Sequence, residues 1–317
     1  MKKLFLVAIT VILTLTTFVS CGKHPMETKQ GFFFDTVVSI SLDKKDIDKA
    51  ENTFALCSEL EDIFSRTKEE SELWKLNNGE LTTLSPELLE VLRFSLSVSK
   101  MSDGAFDVTV APLSDLWNVK ERTVPPSGEE ISEALSGVGY ENISLSPLNT
   151  QKVIIDLGGI AKGYAADKII EALKKDSVEN AIVDLGGNVA LLGEYSVGIT
   201  DPFNPENLYA KIKLKDKSAV TSGAYQRYFD YEGKRYHHII DPHTGECAAS
   251  GLASVTVISS SSMEADALST AIFVLGKDGI SLCDKFPGTD ALLITTDGEI
   301  ITTDGFTDKY SLEIIKH

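Results

Sequence analysis

Asp156-Leu-Gly-Gly-Ile-Ala-Lys-Gly-Tyr-Ala-Ala-Asp167 is the stretch on which the reading of this chain turns. Val153-Ile154-Ile155 precedes it, a short β-branched run that predicts a buried strand. Ile160, Tyr164, Ile169, Ile170 and Leu173 follow at helical spacing, ending at Lys174-Lys175. A strand, a Gly-Gly turn and a helix in that order aim backbone N–H groups at whatever sits above the turn, a place suited to phosphate. Asp156 would stand at the strand end, and Gly158 and Gly159 would let a ligand approach the backbone. The spacing matches neither the dinucleotide fingerprint nor the Walker loop. By itself it also fits an ordinary tight turn.

Outward from this point, Ala181-Ile-Val-Asp-Leu-Gly-Gly-Asn188 repeats the Asp-Leu-Gly-Gly turn, which suggests two adjacent strands ending at one rim. Towards the N-terminus, Thr36 to Leu42 alternates as a strand with one buried face, and Asp46 to Phe64 reads as an amphipathic helix. Ser85-Pro86 starts a helix that runs to about Val98. A loop from Ser102 leads into a short piece ending at Leu113, and Glu129 to Leu135 is a short helix. Towards the C-terminus strands dominate from Val189 to Phe229, with further strands at Ser254–Ile258, Leu292–Thr295 and Glu299–Thr302. Helices gather in the first half and strands in the second, and no Pro/Gly/Ser-rich linker divides the body. The expectation is an α+β fold, one compact domain with a mixed, barrel-like β-sheet core flanked by helices.

Lys2-Lys3, the uncharged apolar run Leu4 to Val19 and Ser20-Cys21 have the form of an export signal ending at a cysteine. It is similar to a bacterial lipoprotein signal, which makes Cys21 the expected lipidation site, residues 1–20 a signal peptide, 21–31 a tether and 32–317 the domain. The protein is then exported and lipid-anchored to the membrane, facing the periplasm or the cell exterior. A plain signal peptide or an uncleaved anchor is the alternative. The chain carries 30 Lys and Arg against 47 Asp and Glu, a net charge of −17, so nucleic acid is a poor partner. A polyanionic ligand would need local help from a lysine, helix N-termini or a divalent cation. Cys57, Cys247 and Cys283 have spacings that suit neither a metal knuckle nor a disulfide framework and are expected as buried thiols.

Two segments carry chemistry. Ser261 and Glu264 form a capping-box pattern ahead of a helix whose Leu268, Ala271, Ile272 and Leu275 make an apolar stripe. Asp266 and Thr270, four apart, share one face, and two oxygen donors so placed suit Mg²⁺, which keeps waters and takes phosphate oxygens as further ligands. An ordinary polar helix face has the same spacing. Tyr236-His-His-Ile-Ile-Asp-Pro-His-Thr-Gly245 holds three of the five histidines. His-x-x-Asp invites zinc, but the spacing is wrong for a helical site and Asp-Pro opens a turn, so a general base or a structural loop fits as well.

Together these pieces resemble the ApbE-type FAD-dependent flavin transferases. The resemblance runs from Phe34-Asp35-Thr36 through Glu61-x-x-Phe64-Ser65, Ser71-Glu-Leu-x-x-Leu-Asn77 and Gly104-Ala-Phe-Asp-Val-Thr-Val-Ala-Pro-Leu113. It continues through the two Asp-Leu-Gly-Gly stretches, Thr221-Ser-Gly223, His238-Ile-Ile-Asp-Pro-x-Thr-Gly245 and Ala265-Asp-Ala-Leu-Ser-Thr-Ala271. It implies Mg²⁺-assisted attack at the FAD pyrophosphate by a Thr or Ser hydroxyl of an exported or membrane acceptor, such as a respiratory redox subunit, with AMP released. Residue by residue it implies that Asp266, Thr270 and the carbonyl near Gly159 bind the metal. Phe34, Ala105, Phe106, Asp107, Asp156, Lys162 and Ala248 would line the FAD pocket, with His238 as base or orienter of the nucleophile. Two positions depart from the family: Phe34-Asp35-Thr36 stands for the common Met-Gly-Thr, and Thr67 for a frequent Tyr. Thr67, expected at the flavin end of the pocket, would leave room for water, so an FAD pyrophosphatase giving FMN and AMP is the alternative. A non-catalytic flavin-binding lipoprotein is a second, needing neither Asp266 nor His238.

Overall fold

The alternation in Thr36–Asp43 produces a strand whose Val38, Ile40 and Leu42 are wholly buried while Val37 faces outward. A computed structural model of the chain describes residues 25–150 and 153–315. In chain order its strands are β1 (Met26–Phe33), β2 (Thr36–Asp43), β3 (Ser144–Leu145), β4 (Leu148–Asn149), β5 (Ala181–Leu185), β6 (Asn188–Leu192), β7 (Glu194–Thr200) and β8 (Leu208–Lys215). They continue with β9 (Ser218–Gly223), β10 (Tyr228–Tyr231), β11 (Lys234–His237), β12 (Leu252–Ser259), β13 (Asp290–Thr295), β14 (Ile300–Thr302) and β15 (Glu313–Ile314). The helices are α1 (Ala50–Phe64), α2 (Glu72–Asn77), α3 (Pro86–Met101), α4 (Ala111–Trp117), α5 (Gly128–Leu135), α6 (Ala161–Lys175), α7 (Ser262–Leu275) and α8 (Phe306–Tyr310).

Eight strands form one sheet in the order β1-β2-β5-β6-β9-β12-β13-β14, antiparallel at every pairing and open at β1 and β14 rather than closed into a barrel. A three-stranded sheet, β15-β8-β7, lies over part of its other face. The strand period of two sorts side chains between two cores. Ala291 and Leu293 of β13 and Val255 and Val257 of β12 pack with α1, α3, α6 and α7. Leu292, Ile294 and Ile258 pack instead with Val197, Ile212, Leu214, Phe306 and Tyr310. A smaller cluster of Leu113, Trp117, Ile131, Phe229 and Ile240 holds α4 and α5 against the β10–β11 hairpin. The α+β reading and its single domain are what the structure shows.

Four local expectations change. Val153–Ile155 is not a strand. Both backbone polar groups of Ile155 are taken by the Asn77 side chain, at 2.8 and 2.9 Å, and Asp156 N–H donates to Val108 O at 2.7 Å. With its hydrogen bonds met this way the segment needs no sheet neighbour, and burial of Val153 and Ile155 comes from packing alone. Residues 26–31, expected as tether, belong to β1, which pairs along its full length with β2. The capping box at α7 is half formed: Ser261 Oγ accepts from Glu264 N–H, but the Glu264 carboxylate accepts from Ser259 and Thr289 hydroxyls. Leu275 is 40% exposed and lies outside the buried stripe. Cys57 and Cys283 are buried and Cys247 half-buried, all free, and burial pushes each thiol up to about 12. No helix among the described residues is long and apolar enough to cross a bilayer, and Cys21 lies outside those residues.

Candidate active site

The site begins where α6 crosses α7. Gly163 permits the approach, since a Cβ there would stand 2.4 Å from Ser262 O. Each helix then gives a carboxylate to the other's N-terminus, where free N–H groups and the helix dipole favour negative charge. Asp167 of α6 accepts from Ser261 Oγ at 2.8 Å and from the N–H groups of Ser262 and Met263 at 2.6 and 3.0 Å. Asp266 of α7 returns the arrangement, its Oδ2 accepting from Gly163 N–H at 2.9 Å.

That bond fixes Asp266 in the wall of a cavity of about 450 Å³. Asp266 is 4% exposed, so the polar-face reading of α7 fails, and among the described residues its Oδ1 has no hydrogen-bond partner. Thr270 stands one turn on, its Oγ1 3.4 Å from Ser222 Oγ of β9. Gly159 completes the group: a Cβ there would lie 3.6 Å from Thr270 Oγ1 and 3.2 Å from the Phe106 ring. An unpaired carboxylate oxygen open to the cavity, with the Thr270 and Ser222 hydroxyls in the same lining, is a hard-oxygen donor set of the kind that would suit Mg²⁺. Lys162 bridges the same corner, donating to Gly158 O at 3.0 Å with Nζ 3.8 Å from Asp266 Oδ2. Zinc has no comparable support, because no three His, Cys, Asp or Glu side chains converge among the described residues.

The Gly-Gly turn itself cradles less than its sequence suggested. Gly158 N–H turns back to Asp156 Oδ1 at 2.7 Å, those of Ile160 and Ala161 go to Leu157 O, and that of Gly163 to Asp266. Asp156 is likewise occupied, its Oδ2 accepting from Arg66 Nε at 2.9 Å. Arg66 then forks onto Asp115 of α4, at 3.1 and 2.6 Å, joining the loop after α1, α4 and the turn across one wall. Asp107 lines the cavity with both oxygens engaged: Oδ1 accepts from Thr109 N–H and Oγ1 at 2.7 and 2.6 Å, and Oδ2 from Tyr140 N–H at 2.9 Å. Burial pushes its carboxyl up while those hydrogen bonds hold it down, leaving a net rise. Ala105 and Phe106 lie beside it.

The two adjacent histidines have different work. His237 is buried; its Nε2 lies 3.1 Å from Ala248 O and its Nδ1 accepts from Ile239 N–H at 3.3 Å. Only the neutral ring with the proton on Nε2 satisfies both contacts. Burial, with Arg235 nearby, lowers its pKa to about 4 despite the Ala248 bond. Its ring stands edge-on to Phe273 of α7, 5.5 Å away, which braces the loop on the helix. His238 faces the cavity. Its Nδ1 lies 3.3 Å from Arg227 O. A carbonyl can only accept, so Nδ1 carries the proton and Nε2 keeps a free lone pair. Enclosure by protein, then Arg227, His237 and Lys162, hold the ring's pKa down to about 3, so it is neutral at pH 7. His243 is a strut, its ring nitrogens 2.7 Å from Asp103 O and 3.1 Å from Asp241 Oδ1.

Nine of the residues singled out in the sequence therefore share one cavity: Ala105, Phe106, Asp107, Asp156, Gly159, Lys162, His238, Asp266 and Thr270. The two Asp-Leu-Gly-Gly turns also meet there, through Gly158 and Gly186, although only the second follows a strand. Phe34, Thr67 and Ala248 are not among its lining residues. Phe34 sits in the β1–β2 turn, its N–H bonded to Glu61 Oε1 at 2.6 Å. Ala248 backs His237 from behind. Thr67 is exposed in a turn closed by N–H donation to Ser65 Oγ, and its neighbour Arg66 points inward instead. Trp74 does not line the cavity either; Trp117 does, with Nε1 donating to Gly245 O at 2.8 Å. Arg66, Asp115, Lys120, Gln226 and Arg227 also line it and escaped the sequence reading. Ser222 and Asn188 stood in quoted motifs without an assigned role.

The ApbE family model matches residues 34–293. FAD:protein FMN transferase of Treponema pallidum (strain Nichols) is 35% identical over 290 residues, covering 82% of this chain and 80% of the relative. A protein of the same name from Klebsiella pneumoniae (strain 342) is 33% identical over 265 residues, covering 80% and 84%. Among solved structures, the ApbE protein of Thermotoga maritima superposes with a TM-score of 0.80 at 35% identity, over 89% of this chain and 98% of that one. The flavin transferase ApbE of Vibrio cholerae gives 0.77 at 26% identity, over 90% and 99%. The fold, the cavity and these similarities agree, and the chain belongs to the ApbE family.

Proposed function

We propose that this chain transfers FMN from FAD to a hydroxyl group of an acceptor protein and releases AMP. The observation that carries the reading is the meeting, in one cavity, of a neutral imidazole with a free Nε2, an oxygen-donor corner and several cations. Its support from relatives is that proteins named for this reaction match four fifths of the chain.

The acceptor oxygen attacks the phosphorus on the FMN side of the pyrophosphate, the bridging P–O bond breaks, and AMP leaves with the bond's electrons. The hydroxyl proton passes to His238 Nε2, while the Arg227 carbonyl holds the ring in the tautomer that can take it. A ring held near 3 is a weak base, and the cations beside it are part of the cause. A bound pyrophosphate offsets Arg227 and Lys162 and so raises the basicity of His238 when it is needed. Asp266, Thr270 and the Gly159 carbonyl would hold Mg²⁺, which when bound supplies charge neutralisation at the pyrophosphate. Lys162 adds a fixed positive charge at that corner, and the buried wall keeps each charge in place before reaction.

We place the protein outside the cytoplasm, anchored through lipid on Cys21, with an exported or membrane redox subunit as acceptor. The motive is the apolar leader ending at Cys21. Mass spectrometry of the N-terminal peptide tests this, and an unmodified Cys21 in membrane-extracted protein would refute it. For the reaction, the protein is mixed with FAD, Mg²⁺ and a Thr-containing acceptor peptide, and AMP and FMN-peptide are quantified together. Equal yields of both support transfer. AMP with free FMN identifies hydrolysis, and FAD binding without AMP identifies a flavin-binding protein.

A further inference from the structure

The turn joining β1 to β2 holds two consecutive non-glycine residues in the left-handed region, Phe34 at φ 52° and Asp35 at φ 57°. Two-residue hairpin turns of this kind favour Asn, Asp and Gly, so Asp35 is tolerated there. Its side chain reaches across to two cations of the cavity wall. Asp35 Oδ2 pairs with Lys120 Nζ, and with Arg227 Nη2 at 3.2 Å, while Arg227 also donates to Asp35 O at 3.1 Å. Lys120 and Arg227 line the cavity; Asp35 does not.

The other two cavity cations have partners inside the cavity wall, Arg66 with Asp115 and Asp156, and Lys162 with Asp266. Lys120 and Arg227 have their carboxylate on a separate hairpin. The Asp35, Lys120 and Arg227 side chains are 57, 50 and 42% exposed, so water screens the pairs and neither is strong. A phosphate offers an arginine fork more charge and more acceptor oxygens than one carboxylate. In a chain this acidic, two cations at the mouth of the site are scarce.

We infer that Lys120 and Arg227 form a phosphate-binding edge of the cavity and that Asp35 is a built-in competitor for them, displaced when a dinucleotide pyrophosphate binds. The inference rests on the FAD reading above. Arg227 also carries the carbonyl that orients His238, so filling this edge sets charge beside the proposed base.

The test compares FAD affinity, by flavin fluorescence without Mg²⁺ at low salt, in the full chain and in Asp35→Asn, Arg227→Gln, Lys120→Gln and the double variant Asp35→Asn/Arg227→Gln. Asn suits the left-handed turn and keeps the shape, so Asp35→Asn removes the charge alone. It is expected to tighten FAD binding about fivefold, the size of one exposed charge pair. Arg227→Gln and Lys120→Gln each weaken binding by about the same factor, and Arg227→Gln abolishes most of the gain from Asp35→Asn. Salt erodes all three effects. A purely structural latch would instead make Asp35→Asn weaken binding, and that result, or an unchanged affinity, overturns the inference. Inorganic pyrophosphate serves as the flavin-free probe in parallel. If it repeats the pattern while FAD fails to bind, the phosphate edge stands and the flavin reading falls; if neither binds, the edge is refuted.

Discussion

Replacing Asp266 separates the metal corner from the scaffold, because one carboxylate serves both. Oδ2 caps α6 through Gly163 N–H in a site only 4% exposed, while Oδ1 is left for a ligand. Asp266→Ala removes the acceptor, strands a buried N–H, and leaves Lys162 without its nearest carboxylate. A hydrogen bond to a charged acceptor in such a place is worth about 2 kcal/mol. At about 2–4 °C per kcal/mol for a domain of this size, the melting temperature should fall by ~4–8 °C. Asp266→Asn keeps an oxygen for Gly163 and loses the charge, so it should cost less than ~1 kcal/mol. Both variants should lose AMP release by at least about 10–100-fold, the loss that follows from disturbing even an outer partner of a bound metal. Thermal unfolding and an AMP assay over a Mg²⁺ titration give the two readouts. Asp266→Asn turning over within a few-fold of the parent at the same Mg²⁺ would refute the metal assignment. Asp266→Ala melting unchanged would refute the capping role.

His238→Ala should slow AMP release about 10²–10⁴-fold with FAD binding largely kept; a variant within a few-fold of the parent would leave His238 structural. His237 links stability to pH. Its folded pKa of about 4 lies below the ordinary 6.5, so the unfolded chain binds the extra proton first. Stability is therefore whole above pH 6.5 and falls as pH drops towards 4, by up to about 3 kcal/mol. In His237→Asn, whose side-chain oxygen can replace Nδ1, that share of the pH dependence should vanish from melting curves between pH 7 and 4; identical pH slopes would contradict it. Thr67→Tyr should leave the ratio of AMP to FMN-peptide unchanged, since Thr67 is exposed and does not line the cavity. A shift towards transfer would bring it back into the mechanism.

Much of this protein is legible in its sequence because periodicity and short-range chemistry are local. The buried face of Thr36–Asp43, the Ser85-Pro86 helix start, the span of α6 and the helix carrying Asp266 and Thr270 all follow from side-chain spacing. The pairing of those two residues with Gly159 and His238 was legible only as a resemblance, since α7, the Gly-Gly turn and the β11 loop are far apart in the chain.

Tertiary structure decided the rest, for reasons of partner choice. Asn77 satisfies the backbone of Ile155 and so turns a strand-like run into a connector, a bond between residues 78 positions apart that no window contains. Gly158, whose N–H a phosphate could have used, bonds Asp156 instead, and Asp156 is in turn spent on Arg66. Identical residue types diverge in the same way: His237 and His238 are neighbours in sequence, yet one has both nitrogens bonded in the interior and the other keeps Nε2 for the cavity. Sequence sets which groups are present and which face of an element they occupy. Folding sets which of them are already paired, and chemistry is left to those that are not.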